Sequence, residues 1–219
     1  MKALTEASRA GPSGHVLAPP NIAVFLDRDG VLIEEAHIYN AYLTRPDQVR
    51  LLPRAAEAVR KLNDAGLRVV VVTNQAALAR GIITREELYS IHARMSELLE
   101  EKAGAHLDKI YCCPYHPEGV IARYARHSDS RKPGPGMLLQ AARDLNLRLP
   151  LCFLVGDQES DMIAAKRVHC KAIVVQTDPF GTKWRSWTEG KPDFVAADLA
   201  AGVVWILDSL PRQDPNGGP

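Results

Sequence analysis

The stretch VFLDRDGVL, residues 24–32, decides how the rest of the chain is read. An apolar run that begins at Ile22 ends on Asp27. Arg28, a second aspartate at Asp29, and Gly30 follow, and then another apolar pair. A short continuous apolar run bounded by turn residues is the pattern of a strand covered on both faces, as in a parallel sheet. Two carboxylates two residues apart repel each other. Their placement at the end of such a strand costs stability unless a ligand or a reaction uses them.

Working outward, four more segments read as buried strands: LRVVVVTN (67–74), DKIYCCP (108–114), LCFLVGD (151–157) and CKAIVVQT (170–177). Between them lie helical patterns. Pro53 to Ala65 carries Ala55, Ala58, Val59 and Leu62 on one face, with Gly66 as its stop. Thr84 opens a long helix from Arg85 to about Lys102, and TREE is a capping-box pattern. Gly134 to Leu145, the short ESDMIAAKRV and Asp198 to Leu210 complete the set. Strands alternating with helices predict an α/β fold with a doubly wound, Rossmann-like parallel sheet. Such sheets bind ligands beyond the carboxyl ends of their strands. The residues in those places are Asp27 and Asp29, then Thr73 and Asn74, then Asp157.

The bulk properties narrow the classes. A length of 219 residues suits one domain, expected over 21–210 between a loose N-terminal tail (1–20) and a C-terminal tail (211–219). The net charge of +1 gives no global field for nucleic acid or a membrane. Four cysteines at this length are not a disulfide scaffold, and Cys152 and Cys170 sit in apolar strands as core thiols. No stretch has the apolar length of a signal peptide or a membrane span. The expectation is a soluble cytoplasmic monomer.

Three carboxylates meeting in one mouth predict a cation, and oxygen ligands suit Mg²⁺. Asp27 and Asp157 would bind it directly, and Asp29 either through its carboxylate or instead through its backbone carbonyl, which keeps the carboxyl free for proton transfer. Asp27 is then the candidate nucleophile, forming an aspartyl-phosphate, and Asp29 the candidate acid/base. Thr73, nearby N–H groups and Lys132 would hold phosphoryl oxygens. Alone, each signal has a plainer reading. Asp-Gly is turn chemistry, Thr73-Asn74 could cap a helix, and an isolated lysine is commonly a solvated one. Cys112 and Cys113 read as packing residues, and Trp184, Trp187 and Trp205, outside the motifs, as core or contact residues.

Taken in order, FLDRDG, VVTNQ, RKPGPGML and GDQESDM resemble the four motifs of the haloacid dehalogenase-type phosphatases. TNQAALARG and CPYHPEG bring the likeness to the subfamily of heptose bisphosphate phosphatases and histidinol-phosphate phosphatases, over roughly residues 21–178. The resemblance implies a Mg²⁺-dependent phosphoric monoester hydrolase without a large cap domain. Its nucleophile falls on Asp27, its acid/base on Asp29, its threonine on Thr73, its lysine on Lys132 and its metal-binding acid on Asp157, with Asp161 in support. It also implies a flap loop at about 34–47 and a specificity loop at about 113–131, with Asn74, Gln75, Arg80 and Arg131 contacting the substrate. That substrate is a small phosphorylated metabolite: foremost the 7-phosphate of D-glycero-D-manno-heptose 1,7-bisphosphate, otherwise histidinol phosphate. A phospho-accepting signalling or binding domain without turnover is the alternative of another class. It fits poorly, because the presumed nucleophile and acid/base share one strand end.

One departure stands out. The family commonly holds a structural zinc through a Cys-x-His and a Cys-x-Cys pair. Here those positions read Cys113-Pro114-Tyr115 and Ser128-Asp129-Ser130. Serine is a poor zinc ligand. An irregular set from Cys112, Cys113, His116 and His127 is the alternative to a loop that folds without metal, which is the expectation.

Overall fold

The structure, a computed structural model, describes residues 21–35, 42–176 and 183–210. Both expected tails and part of the expected flap loop, residues 36–41, lie outside the described residues. In chain order the elements are β1 (Ala23–Leu26), α1 (Ala55–Asp64), β2 (Arg68–Asn74), α2 (Ala76–Ala79) and α3 (Arg85–Ala103). They continue with β3 (Lys109–Cys113), α4 (Gly136–Leu145), β4 (Phe153–Gly156), α5 (Glu159–Arg167), β5 (Lys171–Val175), β6 (Phe194–Ala196) and α6 (Leu199–Asp208).

The strands form one parallel sheet in the order β3-β2-β1-β4-β5-β6. The chain therefore steps outward from β1 to β3, then returns to the other side of β1 and steps outward again. That reversal opens a crevice beyond the carboxyl end of β1, between β2 and β4. Alternation along each strand divides the core. Val24, Leu26, Val69 and Val71 pack with Val59 and Leu62 of α1, Ile91, Met95 and Leu99 of α3, and Val203 and Ile206 of α6. Phe25, Val70, Val72 and Leu154 face the opposite layer, against Met137, Leu138 and Ala141 of α4 and Met162 and Ala165 of α5. Each fully buried side chain of this size contributes about 1.5–3 kcal/mol, so the strand ends are held on a stiff platform.

The expected elements are present with small shifts at their ends. Thr84 Oγ1 accepts from Glu87 N at 3.1 Å while Thr84 N donates to Glu87 Oε2 at 2.7 Å, the reciprocal cap anticipated for α3. Helix α1 starts two residues later than expected, because Arg54 adopts a left-handed conformation (φ 62°) before it. Strand β6 falls where the sequence allows a strand or loop before the last helix, and the one-turn α2 has no separate expectation: each is too short to carry a period. Trp205 stacks on Phe194 at 4.9 Å between ring centroids, and Trp187 is buried, so both serve packing. Among the described residues no helix is long and apolar enough to cross a membrane.

Candidate active site

Strand β1 ends at Leu26, but the ladder carries one bond further, from Asp27 N to Val155 O at 2.9 Å. The chain then turns, with Leu32 N and Ile33 N both donating to Arg28 O. Asp27 is thereby fixed at the switch point and Asp29 stands on the turn, rather than both lying on one extended strand. Gly30 permits this turn with φ 74°, and a Cβ there would stand 2.7 Å from Asp157 Oδ2. The glycine of DRDG is needed for its backbone angle and for the close approach of the third carboxylate.

A cavity of about 440 Å³ opens at this point, lined by Asp27, Asp29, Glu35, Thr73, Asn74, Lys132, Asp157, Gln158 and Ser160. Its floor holds opposed charges. Lys132 Nζ lies 2.9 Å from Asp27 Oδ1 and 2.6 Å from Asp161 Oδ1, and it donates to Val72 O at 2.9 Å. Asp161 is fully buried and also caps α5, its Oδ2 accepting from Gln158 N. Asn74 pins the lysine: its Nδ2 donates to Lys132 O and its Oδ1 accepts from Lys132 N, each at 3.0 Å. Thr73 Oγ1 accepts from Gln75 Nε2 at 2.8 Å, and Gln75 Nε2 also reaches Asp29 Oδ2 at 3.1 Å.

The electrostatics match this crowding. Burial pushes Asp27 up to about 7; Lys132 opposes that shift, while Asp161 and Asp29 add to it. Burial, then Asp27 and Asp161, push Asp157 up to about 8. Burial would lower Lys132, but Asp161 and Asp27 win and hold it above its usual range, so it stays charged. One lysine does not neutralise three carboxylates. Asp157 Oδ1 is buried without a hydrogen-bond partner, which is the situation a cation relieves. Oxygen atoms of Asp27, Asp157 and Asp161 lie within 4.8 Å of one another, the one group with metal-ligand spacing among the described residues. These residues fit a hard divalent cation. The Asp29 carboxylate is not in that group, and Cys112, Cys113, His116 and His127 form no such group.

The remaining expected residues fall differently. Gln75 is buried and spends its amide on Asp29 and Thr73. Arg80 reaches Glu118 at 4.0 Å, and Arg131 Nη1 donates to Tyr115 O at 3.5 Å; neither lines the cavity. The loop 113–131 is held by side-chain stacking: the Arg126 guanidinium lies 4.0 Å over the Tyr115 ring, and Tyr115 tilts against Tyr124 at 6.2 Å. Its Ser128-Asp129-Ser130 segment turns on Ser128 Oγ, which accepts from Ser130 N at 3.2 Å. Gln158 and Ser160 reach the cavity although only their neighbours Asp157 and Asp161 were singled out. Arg28 and His92 also lie behind the site. A sequence signal existed for His92, which sits on the apolar stripe Leu88, Ile91, Met95, Leu99 of α3.

Comparison with known proteins agrees with this geometry. A HAD-hydrolase-like family model matches residues 130–202. The chain is 42% identical over 197 residues to the D-glycero-D-manno-heptose-1,7-bisphosphate 7-phosphatase of Thermosynechococcus vestitus, covering 87% of this chain and 98% of the relative. It is 37% identical to the D-glycero-beta-D-manno-heptose-1,7-bisphosphate 7-phosphatase of Yersinia pestis, covering 86% and 90%. Among solved structures, the D,D-heptose 1,7-bisphosphate phosphatase from B. bronchiseptica, complexed with magnesium and phosphate, superposes with a TM-score of 0.74 at 32% identity, covering 85% of this chain and 98% of that one. With a strand-end aspartate, a pinned lysine and a cation-seeking carboxylate in one crevice, and with relatives of this identity and coverage, the chain belongs to the heptose bisphosphate phosphatases of the haloacid dehalogenase-type hydrolases.

Proposed function

We propose that this chain removes the 7-phosphate of a D-glycero-D-manno-heptose 1,7-bisphosphate, with Mg²⁺, through an aspartyl-phosphate on Asp27. The observation that carries the chemistry is the Asp27 carboxylate on the cavity floor, paired with Lys132 at 2.9 Å and standing beside the partnerless Asp157 Oδ1. The substrate follows from what the named relatives act on, and a cavity of about 440 Å³ admits a phosphorylated sugar end.

An oxygen of Asp27 attacks phosphorus, and the bond from phosphorus to the sugar oxygen breaks. Asp29 gives its proton to that leaving oxygen, then takes a proton from the water that attacks the phospho-aspartate. The second attack breaks the bond to Asp27 and releases phosphate. Lys132 and the Thr73 hydroxyl hold phosphoryl oxygens as charge shifts onto them. Mg²⁺ held by Asp27, Asp157 and the Asp29 carbonyl would supply positive charge that offsets the carboxylates and the phosphate. Asp161 supports from behind by fixing Lys132. Arg80 and Arg131 lie outside the cavity lining, where the rest of a sugar bisphosphate would extend.

The test is phosphate release, with and without Mg²⁺, from heptose 1,7-bisphosphate, heptose 7-phosphate, histidinol phosphate and hexose phosphates. Many turnovers per chain, fastest on the bisphosphate and lost on chelation, are expected. Asp27→Asn should lower kcat by at least about 10³-fold while leaving the fold intact. A higher kcat/KM on histidinol phosphate would overturn the substrate; full activity in Asp27→Asn would overturn the mechanism.

A further inference from the structure

Arg28, between the two motif aspartates, is 3% exposed, and it turns back onto its own neighbour. Its Nη2 donates to both Asp29 oxygens at 2.9 Å, and its Nε to Oδ1 at 3.2 Å. On the far side its Nη1 meets His92 Nε2 at 3.3 Å. His92 is 6% exposed on the middle of the nineteen-residue helix α3. Burial first, then the neighbouring Arg28, push its imidazole down to about 4. It is therefore neutral, and Nε2 accepts from Arg28 when the ring proton sits on Nδ1. A chain of contacts thus runs from α3 through His92 and Arg28 to the Asp29 carboxylate at the cavity.

Burying a guanidinium is costly, and pairing it with the adjacent residue closes no loop and ties no elements together. The fork does fix both the position and the plane of a carboxylate, which a lysine in the same place would not. Gln75 Nε2, at 3.1 Å from Oδ2, holds the same group from β2's side. We infer that Arg28, seated on His92, is a positioning residue that sets where the Asp29 carboxyl stands in the cavity, and so governs proton transfer to the leaving oxygen. This rests on Asp29 being the acid/base proposed above.

The experiment compares kcat/KM on two esters, the heptose bisphosphate and 4-nitrophenyl phosphate. That ratio reports steps up to cleavage of the ester. The sugar alkoxide needs a proton as it leaves, whereas 4-nitrophenolate leaves without one. Arg28→Lys and His92→Leu should lose about 10-fold to 10²-fold on the sugar ester, the range of a weakened acid, and little on the aryl ester. His92→Gln, which keeps an acceptor for Arg28, should recover most of the loss. Asp29→Asn is run alongside and should show the same dependence on leaving group, more strongly. Equal losses on both esters in Arg28→Lys and His92→Leu, with Asp29→Asn still selective, would overturn the positioning role. Equal losses in Asp29→Asn itself would instead remove the acid/base reading beneath it. Because His92→Leu and His92→Gln share one site, an unfolded Arg28 variant leaves the comparison decisive.

Discussion

The floor and the rim of the cavity are built by opposite means. On the floor, charged groups from two strand ends, a loop and the first turn of a helix are forced together: Asp27 and Asp161 crowd Lys132, Asp157 stands beside the two carboxylates, and a buried oxygen is left without a partner. The loop 113–131, the proposed rim, is held by an arginine over a tyrosine and by that tyrosine tilted against the buried Tyr124. The floor is unfavourable as it stands and is made tolerable by what binds it. The rim is mildly favourable on its own. The proposed chemistry belongs on the first, and the recognition proposed for the rest of the substrate on the second.

The sharpest way to break the contrast is Asp157→Asn. If the floor is strained by its own carboxylates, this variant should lose nearly all Mg²⁺-dependent turnover, about 10²-fold or more, and yet be more stable in the absence of metal. The sign follows from linkage. A carboxylate whose folded pKa is raised, here from 3.8 to about 8, holds its proton in the folded protein over that window and loses it in the unfolded chain. Its contribution to stability therefore falls as pH rises from about 4 to about 8, at roughly 1.4 kcal/mol per unit at most. Asp27 adds a similar fall up to about 7. Thermal melts in chelator across pH 5–8.5 should show the wild type losing stability more steeply than Asp157→Asn. Parallel curves would mean that the floor is not crowded in the way the geometry indicates.

A smaller effect is expected from Asn74→Ala. It removes both bonds that fix the Lys132 backbone while leaving the lysine's charge in place. A small misplacement of a group that stabilises developing charge costs up to about 10²-fold, so kcat should fall about 10-fold or more, with KM changed less. A rise in KM at constant kcat would make Asn74 a substrate contact and return it to the role its place in VVTNQ suggests.

The floor was legible in the sequence because its residues follow directly on buried strands. A parallel strand has a fixed end, its next residue enters the crevice, and small acidic residues there have few structural uses. Asp27 and Asp157 needed no more than that, and Thr73, the next-to-last residue of β2, lies just inside the same kind of strand end. Lys132 and Asp161 needed the motif around them, since neither follows a strand directly. Arg28 and His92 were not legible as a pair. Their contact spans 64 positions and depends on how α3 packs over β1, which no local pattern records. Gln75, Arg80 and Asn74 could be placed near the site, but whether an amide faces ligand or protein is decided by side-chain direction. The rim was the least legible. Departure from the zinc-ligand pattern at Tyr115 and Ser128 said what was missing, and the Tyr115–Arg126 stack that stands there instead is a contact between two ordinary surface residue types.

That stack gives the last and smallest test. Tyr115→Ala removes the ring beneath Arg126 and beside Tyr124, and keeps the carbonyl that receives Arg131. An exposed cation–π contact and one aromatic pair together amount to about 1–2 kcal/mol. The loss falls on a loop rather than on the sheet, so global stability should drop by less than this sum. The loop arrangement proposed to meet the substrate should loosen instead, raising KM for the bisphosphate by about 3-fold to 10-fold with kcat within about 2-fold. Tyr115→Phe, which keeps the ring, should be close to wild type. A large fall in kcat in Tyr115→Ala would show that the rim reaches the reacting groups, and the division between a reactive floor and a recognising rim would then fail at Arg131, whose backbone leads directly into Lys132.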